Sequence, residues 1–152
     1  MILGTQHVGI VVSNLEVSIK FYQALGFELE IVAPESGDVI SSLVGLPQVK
    51  LITAKLNLGK HDGSLWSEGG FRLELIEYIE PKPSKVIIEK NNVVGKVHLC
   101  FTVQSLDEAN RILGALGHHQ EGNIVTTESG ARRCQYLVDP DGYVLEIIQE
   151  LT

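Results

Sequence analysis

Cysteine is scarce in this chain of 152 residues, with only Cys100 and Cys134 present. The two have no framework spacing, which excludes a disulfide-stapled scaffold and points to reduced thiols in a cytoplasmic protein. Basic residues are also in deficit. Twelve Lys and Arg against nineteen Asp and Glu leave a formal charge of −7, which excludes the basic face that nucleic acid or an anionic membrane requires of a partner. No apolar run approaches a membrane span. The start, Met1-Ile-Leu-Gly-Thr-Gln-His7, lacks the basic and long apolar stretches of a secretory signal. What remains is 44% apolar and 20% charged, an ordinary globular composition with enough chain for about one domain and a sizeable core.

The chain repeats itself. His7-Val-Gly-Ile-Val-Val-Ser-Asn-Leu-Glu16 lies over His98-Leu-Cys-Phe-Thr-Val-Gln-Ser-Leu-Asp107, an offset of 91 residues. At the same offset Lys20 meets Arg111, and Ala24-Leu25-Gly26 meets Ala115-Leu116-Gly117. Further on, Arg72-Leu-Glu-Leu-Ile-Glu77 resembles Val144-Leu-Glu-Ile-Ile-Gln149. Each half thus carries one histidine early and one glutamate late, His7 with Glu74 and His98 with Glu146.

Periodicity gives both halves one plan. Residues 5–12 alternate as a strand, and a helix follows from about Leu15 to Leu25, opened by a capping-box pattern from Ser13 to Glu16 and stopped at Gly26. Phe27–Val32, Val49–Leu58 and Phe71–Ile79 read as strands, with a loop and short helix inserted at 33–48. The second half repeats the order: strand 95–103, helix 106–116 behind Ser105-x-x-Glu108, then strands near 120–126, 131–138 and 143–150. The turn Asp139-Pro-Asp-Gly142 separates the last two. The expected fold is α+β, two tandem βαβββ modules in one domain over 1–152. Module one covers about 1–80, a linker about 81–92, and module two about 93–152. Neither module alone covers both faces of its sheet, so pairing of the two is expected.

Strand parity assigns faces. Val8, Ile10 and Val12, and likewise Leu99, Phe101 and Val103, are the apolar face that meets a helix, leaving His7 and His98 on the other. Leu73 and Leu75, with Leu145 and Ile147, also point to the helices, so Glu74 and Glu146 point away. A lone His at a strand start, or a Glu between leucines, is ordinarily a solvated residue. Two such pairs at matched positions and matched parity point to the donor set of a metal site, with a structural pattern preserved by duplication alone as the alternative.

With His7-Val-Gly-Ile-Val-Val-x-Asn-Leu-Glu, Phe21-Tyr-x-x-Leu-Gly-Phe27, Leu73-Glu-Leu-Ile-Glu-Tyr78, His98-Leu-Cys-Phe-Thr-Val103 and Asp139-Pro-Asp-Gly-Tyr-Val-Leu-Glu146 in hand, the whole chain resembles the vicinal oxygen chelate superfamily. That group includes glyoxalase I, methylmalonyl-CoA epimerase, extradiol dioxygenases, fosfomycin-resistance transferases and bleomycin resistance proteins. The resemblance implies sheets that curl around a metal-binding cavity, completed within one chain or across a homodimer. It also implies one divalent ion (Zn, Ni, Co, Fe or Mn) on His7, Glu74, His98 and Glu146. Glu74 is the fourth ligand that isomerase and lyase members use.

By the same resemblance a small-molecule substrate would chelate the ion. Glu146 would be the catalytic base and Glu74 its ligand or opposite-face partner. The chain departs from glyoxalase I where that enzyme holds glutathione, with Val11 and Tyr78 at those places. Val97 before His98 breaks the double His of the epimerase. The leading expectation is therefore a metal-dependent lyase or isomerase with open substrate. An Fe(II)-dependent ring-cleaving dioxygenase and a non-catalytic drug-binding protein are the alternatives.

Lesser candidates carry open roles. Arg72 shares the face of Glu74, as substrate contact or structural ion pair. Tyr78 and Tyr136 line or fill the pocket. Arg132 and Arg133 point oppositely, so at most one faces it. Cys100 reads as a small buried thiol. His61 and Trp66 lie on a loop, and His118-His119 follow a helix end.

Overall fold

The computed structural model describes residues 1, 4–59, 70–84, 91–118 and 122–151. They fall into two compact units, Met1–Ser84 and Lys85–Thr152. In the first, β1 (Val8–Val11) leads into α1 (Leu15–Ala24), followed by β2 (Glu28–Ser36), α2 (Asp38–Val44), β3 (Lys50–Leu58) and β4 (Phe71–Glu80). In the second, β5 (His98–Thr102) leads into α3 (Leu106–Ala115), then β6 (Val125–Thr126), β7 (Arg132–Val138) and β8 (Val144–Glu150). The two four-stranded sheets run β1-β4-β3-β2 and β5-β8-β7-β6. The fold is mixed α+β with two βαβββ modules, as expected. Among the described residues no helix is long and apolar enough to cross a membrane.

In each sheet the first strand lies parallel to the last, and the remaining neighbours are antiparallel. The registers match across modules: Val8 faces Leu73 and Leu99 faces Leu145. The strand end is tied in the same way, Val12 N–H donating to Ile76 O at 2.9 Å and Val103 N–H to Ile148 O at 2.8 Å. A parallel pair cannot be joined by a tight hairpin, so each first strand must feed a crossover, here through a helix.

The helices begin where side chains satisfy their exposed N–H groups. Asn14 Oδ1 accepts from Val17 N–H at 3.1 Å, and Ser105 Oγ accepts from Glu108 N–H at 3.2 Å. The cap of α1 is therefore Asn14, not the Ser13 expected from the capping-box pattern. Asn14 is also the residue that lies 91 positions before Ser105. A second donor at each helix start is taken by the last strand: Leu15 N–H by Glu77 Oε2 at 2.9 Å and Leu106 N–H by Gln149 Oε1 at 3.1 Å. Both helices stop alike. Leu25 and Leu116 are C-caps, and Gly26 and Gly117 follow at φ +99° and +80°, a conformation that costs a side-chain-bearing residue energy.

The first core lies between α1 and its sheet, with Phe21, Tyr22, Leu56, Leu73 and Leu75 fully buried. Tyr22 meets Phe21 and Phe27 edge to face, with centroids 5.2 and 5.6 Å apart. Leu106, Leu113, Leu145 and Ile147 do the same beneath α3. The buried stripe of α1 is Leu15, Ser18, Phe21 and Tyr22. Ile19 and Leu25 are half-buried.

Two strands differ from expectation. β2 continues past Val32 through Pro34 to Ser36, with a register shift between Leu29 and Ile31. It ends its sheet, where a proline removes no needed donor. β6 has two residues, shorter than the 120–126 segment expected.

Replacing Asn14 or Ser105 by Ala should each cost about 1 kcal/mol. The loss should appear as a lower urea midpoint at unchanged slope, and the two losses should add in the double variant.

Candidate metal centre

The parallel pairing positions the chemistry. Odd-numbered residues of β4 point to the helix side, shown by buried Leu73 and Leu75 and by Glu77 at the start of α1. Leu145, Ile147 and Gln149 do the same for β8. Glu74 and Glu146 must then point to the opposite face. There His7 Nε2 stands 3.4 Å from Glu74 Oε2, and His98 Nε2 stands 3.2 Å from Glu146 Oε2. Each of the four side chains is at least partly accessible, Glu74 least at 14% and His98 most at 46%. Each unit thus brings one of its sequence-predicted pairs together. Among the described residues no three or more His, Cys, Asp or Glu side chains gather as a metal cluster.

His7 has a further partner, Nδ1 pairing with Gln6 Oε1. If Nδ1 donates to that oxygen, the neutral ring presents the Nε2 lone pair to Glu74 Oε2. Two acceptors 3.4 Å apart repel unless a proton or a metal cation lies between them.

The modules differ around this shared motif. Opposite Glu74 on β1 stands Gly9, and opposite Glu146 on β5 stands Cys100. On the other side Glu74 faces Lys55, whose Nζ lies 3.8 Å from Glu74 Oε1, whereas Glu146 faces Tyr136. The Tyr136 ring sits 5.6 Å from that of His98. Sequence reading singled out Tyr136 but missed Lys55. Its signal, a second lysine in the strand Lys50–Leu58 with leucine following at 56, gains meaning only once register sets it across from Glu74.

Other candidates resolve into structural roles. Arg72 is buried and pairs with Glu30 Oε2 at 2.6 Å while Nε donates to Asn57 Oδ1 at 3.2 Å, so it is a structural ion pair. Arg132 and Arg133 do point oppositely. Arg132 meets Glu150, and Arg133 meets both oxygens of Asp107 at the start of α3. The hydrogen bond and charge of Arg133 hold the Asp107 carboxyl below its ordinary range. His118 is half-buried after α3, and Tyr78 is half-buried on the face of Glu74. His61, Trp66 and His119 lie outside the described residues.

Cys100 departs from expectation. It is exposed rather than buried, on β5, a strand that ends its sheet. Its sulfur is nonetheless partly desolvated. That desolvation, together with the charge of Glu146 and a hydrogen bond to it, raises the thiol above its ordinary range. Since thiolate is the reactive form, the metal-free chain should alkylate slowly at Cys100 near neutral pH. Glu146→Gln removes a raising charge, so it should speed iodoacetamide labelling of Cys100, read by peptide mass spectrometry. An unchanged rate would mean that the carboxylate does not act on the thiol.

The two-module fold has counterparts in known proteins. A family model for the Glyoxalase/Bleomycin resistance protein/Dioxygenase superfamily matches residues 4–147. No curated protein matches. A glyoxalase family protein from Bacillus cereus is similar in structure at a TM-score of 0.84 and 24% identity, covering 100% of this chain and 97% of that one. A glyoxalase I mutant from Zea mays follows at 0.68 and 19%, covering 98% of this chain and 46% of that one. The fosfomycin resistance protein FosX from Listeria monocytogenes, complexed with Mn(II) and sulfate, matches at 0.59 and 19%, covering 99% and 95%. At these identities the likeness to solved structures is one of fold, while the family model spans nearly the whole chain: the chain belongs to the Glyoxalase/Bleomycin resistance protein/Dioxygenase superfamily.

Proposed function

We propose that this chain is a metal-dependent lyase or isomerase of the glyoxalase type. In this reading His7, Glu74, His98 and Glu146 together hold one divalent ion, Zn, Ni, Co, Fe or Mn. The observation that carries the reading is the pair of matched His–Glu contacts at 3.4 and 3.2 Å. Two ligand atoms each about 2.0–2.1 Å from a shared ion are roughly 2.9–3.4 Å apart along an octahedral or tetrahedral edge. Both contacts fall within that span; the His7–Glu74 distance is longer than an ordinary N–H···O hydrogen bond and the His98–Glu146 distance stands at its upper end. Two imidazoles and two carboxylates also balance a divalent charge. A structural neighbour carrying Mn(II) supports the choice of a first-row ion.

A divalent ion held there supplies Lewis acidity toward two neighbouring substrate oxygens and makes the adjacent C–H acidic. The chain's residues divide the remaining work. Glu146 takes the proton from that carbon and returns it to a neighbouring one, since its carboxylate has no cationic side chain across the sheet. Glu74 stays in place as a ligand. Val11 and Ile76, paired on β1 and β4, add two apolar side chains to this face. Val11 and Tyr78 stand where glyoxalase I binds glutathione, so the substrate is a small carbonyl compound without that thiol. The set is completed within one chain or in a homodimer.

Metal analysis of protein reconstituted separately with Zn(II), Ni(II), Co(II), Fe(II) and Mn(II) should find one ion per chain. Glu74→Gln and Glu146→Gln should each weaken binding by about 10–100-fold, at least the loss typical of a removed outer-shell partner. In D2O the loaded protein should wash deuterium into a small α-hydroxyketone next to its carbonyl, and Glu146→Gln should not. No metal uptake would overturn the reading, and oxygen consumption with catechols would replace it with ring cleavage.

A further inference from the structure

Lys55 is the asymmetry between the two halves that the reaction outlined above does not require. It sits on β3 directly across from Glu74, and Tyr136 holds the same relation to Glu146 on β7. Cross-strand partners share a face, so Lys55 projects to the side that carries His7 and Glu74. Its side chain is 37% exposed, which leaves the ammonium accessible on a half-covered stem. Among the described residues its one ionic partner is Glu74 Oε1 at 3.8 Å, too far for a hydrogen bond. An ammonium has three donors, and none of them is used by a described acceptor.

The surrounding charges sharpen the point. Arg72 and Glu30 neutralise each other, and Glu35 accepts from Thr53 Oγ1 at 2.9 Å, one same-face position along β3. Once Glu74 and Glu146 balance a divalent ion, the charge of Lys55 is left over. A fixed cation beside an already neutral centre repels the ion unless an anion is brought to it. Such a lysine therefore selects a substrate that delivers negative charge beside its chelating oxygens.

We propose that Lys55 determines specificity by binding an anionic oxygen of the substrate. This makes the substrate class a 2-oxo or 2-hydroxy acid, or a comparable chelate bearing a carboxylate. The proposal rests on the metal-centre reading above. The lysine donates hydrogen bonds to the substrate carboxylate while that carboxylate or its neighbouring oxygen completes the chelate.

The test uses Mn(II)-loaded protein, with oxalate as an anionic two-oxygen chelate and hydroxyacetone as a neutral one, both titrated by calorimetry. Lys55→Met should bind Mn(II) at least as tightly as the natural chain, because a cation near Glu74 is gone. Its oxalate affinity should fall about 10–100-fold, the size of one lost hydrogen bond to a charged group, with hydroxyacetone unchanged. Lys55→Arg should restore oxalate binding, and Lys55→Gln serves if the Met variant fails to fold by circular dichroism. Retained Mn(II) binding with no selective loss of oxalate would overturn the role of Lys55 alone. Absence of Mn(II) binding in the natural chain would overturn the metal reading, and this proposal with it.

Discussion

Parallel pairing of the first and last strand is the constraint on which each module depends. It forbids a short connection, so the chain must cross over through a helix, and that helix has to be held against the sheet at its very start. The last strand does this with its own side chain, Glu77 in one module and Gln149 in the other, each accepting from the first helical N–H. Once that contact is made, the parity of the strand is settled. Three residues earlier, on the opposite face, stands Glu74 or Glu146, next to the histidine of the paired strand. Helix docking and the His–Glu contact are thus two sides of one strand.

Much of this was legible without coordinates because the duplication writes each constraint twice. The 91-residue offset located His7 and His98, and alternation of leucines around Glu74 and Glu146 gave their direction. The reading failed where it trusted a local pattern over the repeat. Ser13 fits a capping box with Glu16, but its counterpart in module two is Gln104, whereas Asn14 matches Ser105, and both of the latter cap. Helix α1 also buries Ser18 and Phe21 more than Ile19.

Other features needed register. Lys55 and Tyr136 lie outside the matched segments, and their shared relation to the glutamates exists only through the β3–β4 and β7–β8 ladders. Arg72 carried two possible roles in sequence, and the choice followed from Glu30, which comes from a different strand at a bulge. Cys100 looked buried because its neighbours are apolar. It is exposed, on a strand that ends its sheet.

The outer strands at the other end of the sheets, β2 and β6, have a consequence for the chain in concentrated solution. A strand that ends a sheet offers unpaired backbone groups to any other chain, and β2 also exposes Leu29, Ile31 and Val32. It carries the features that blunt such an edge: an interrupted register at residue 30, Pro34 without an N–H, and Glu28, Glu30 and Glu35 along its length. Module two reaches the same end by brevity, with only Val125 and Val125's neighbour Thr126 in its outer strand. The duplicated halves therefore kept a common interior yet diverged in how they resist self-templating aggregation, one by interruption and charge, the other by offering almost no edge to copy.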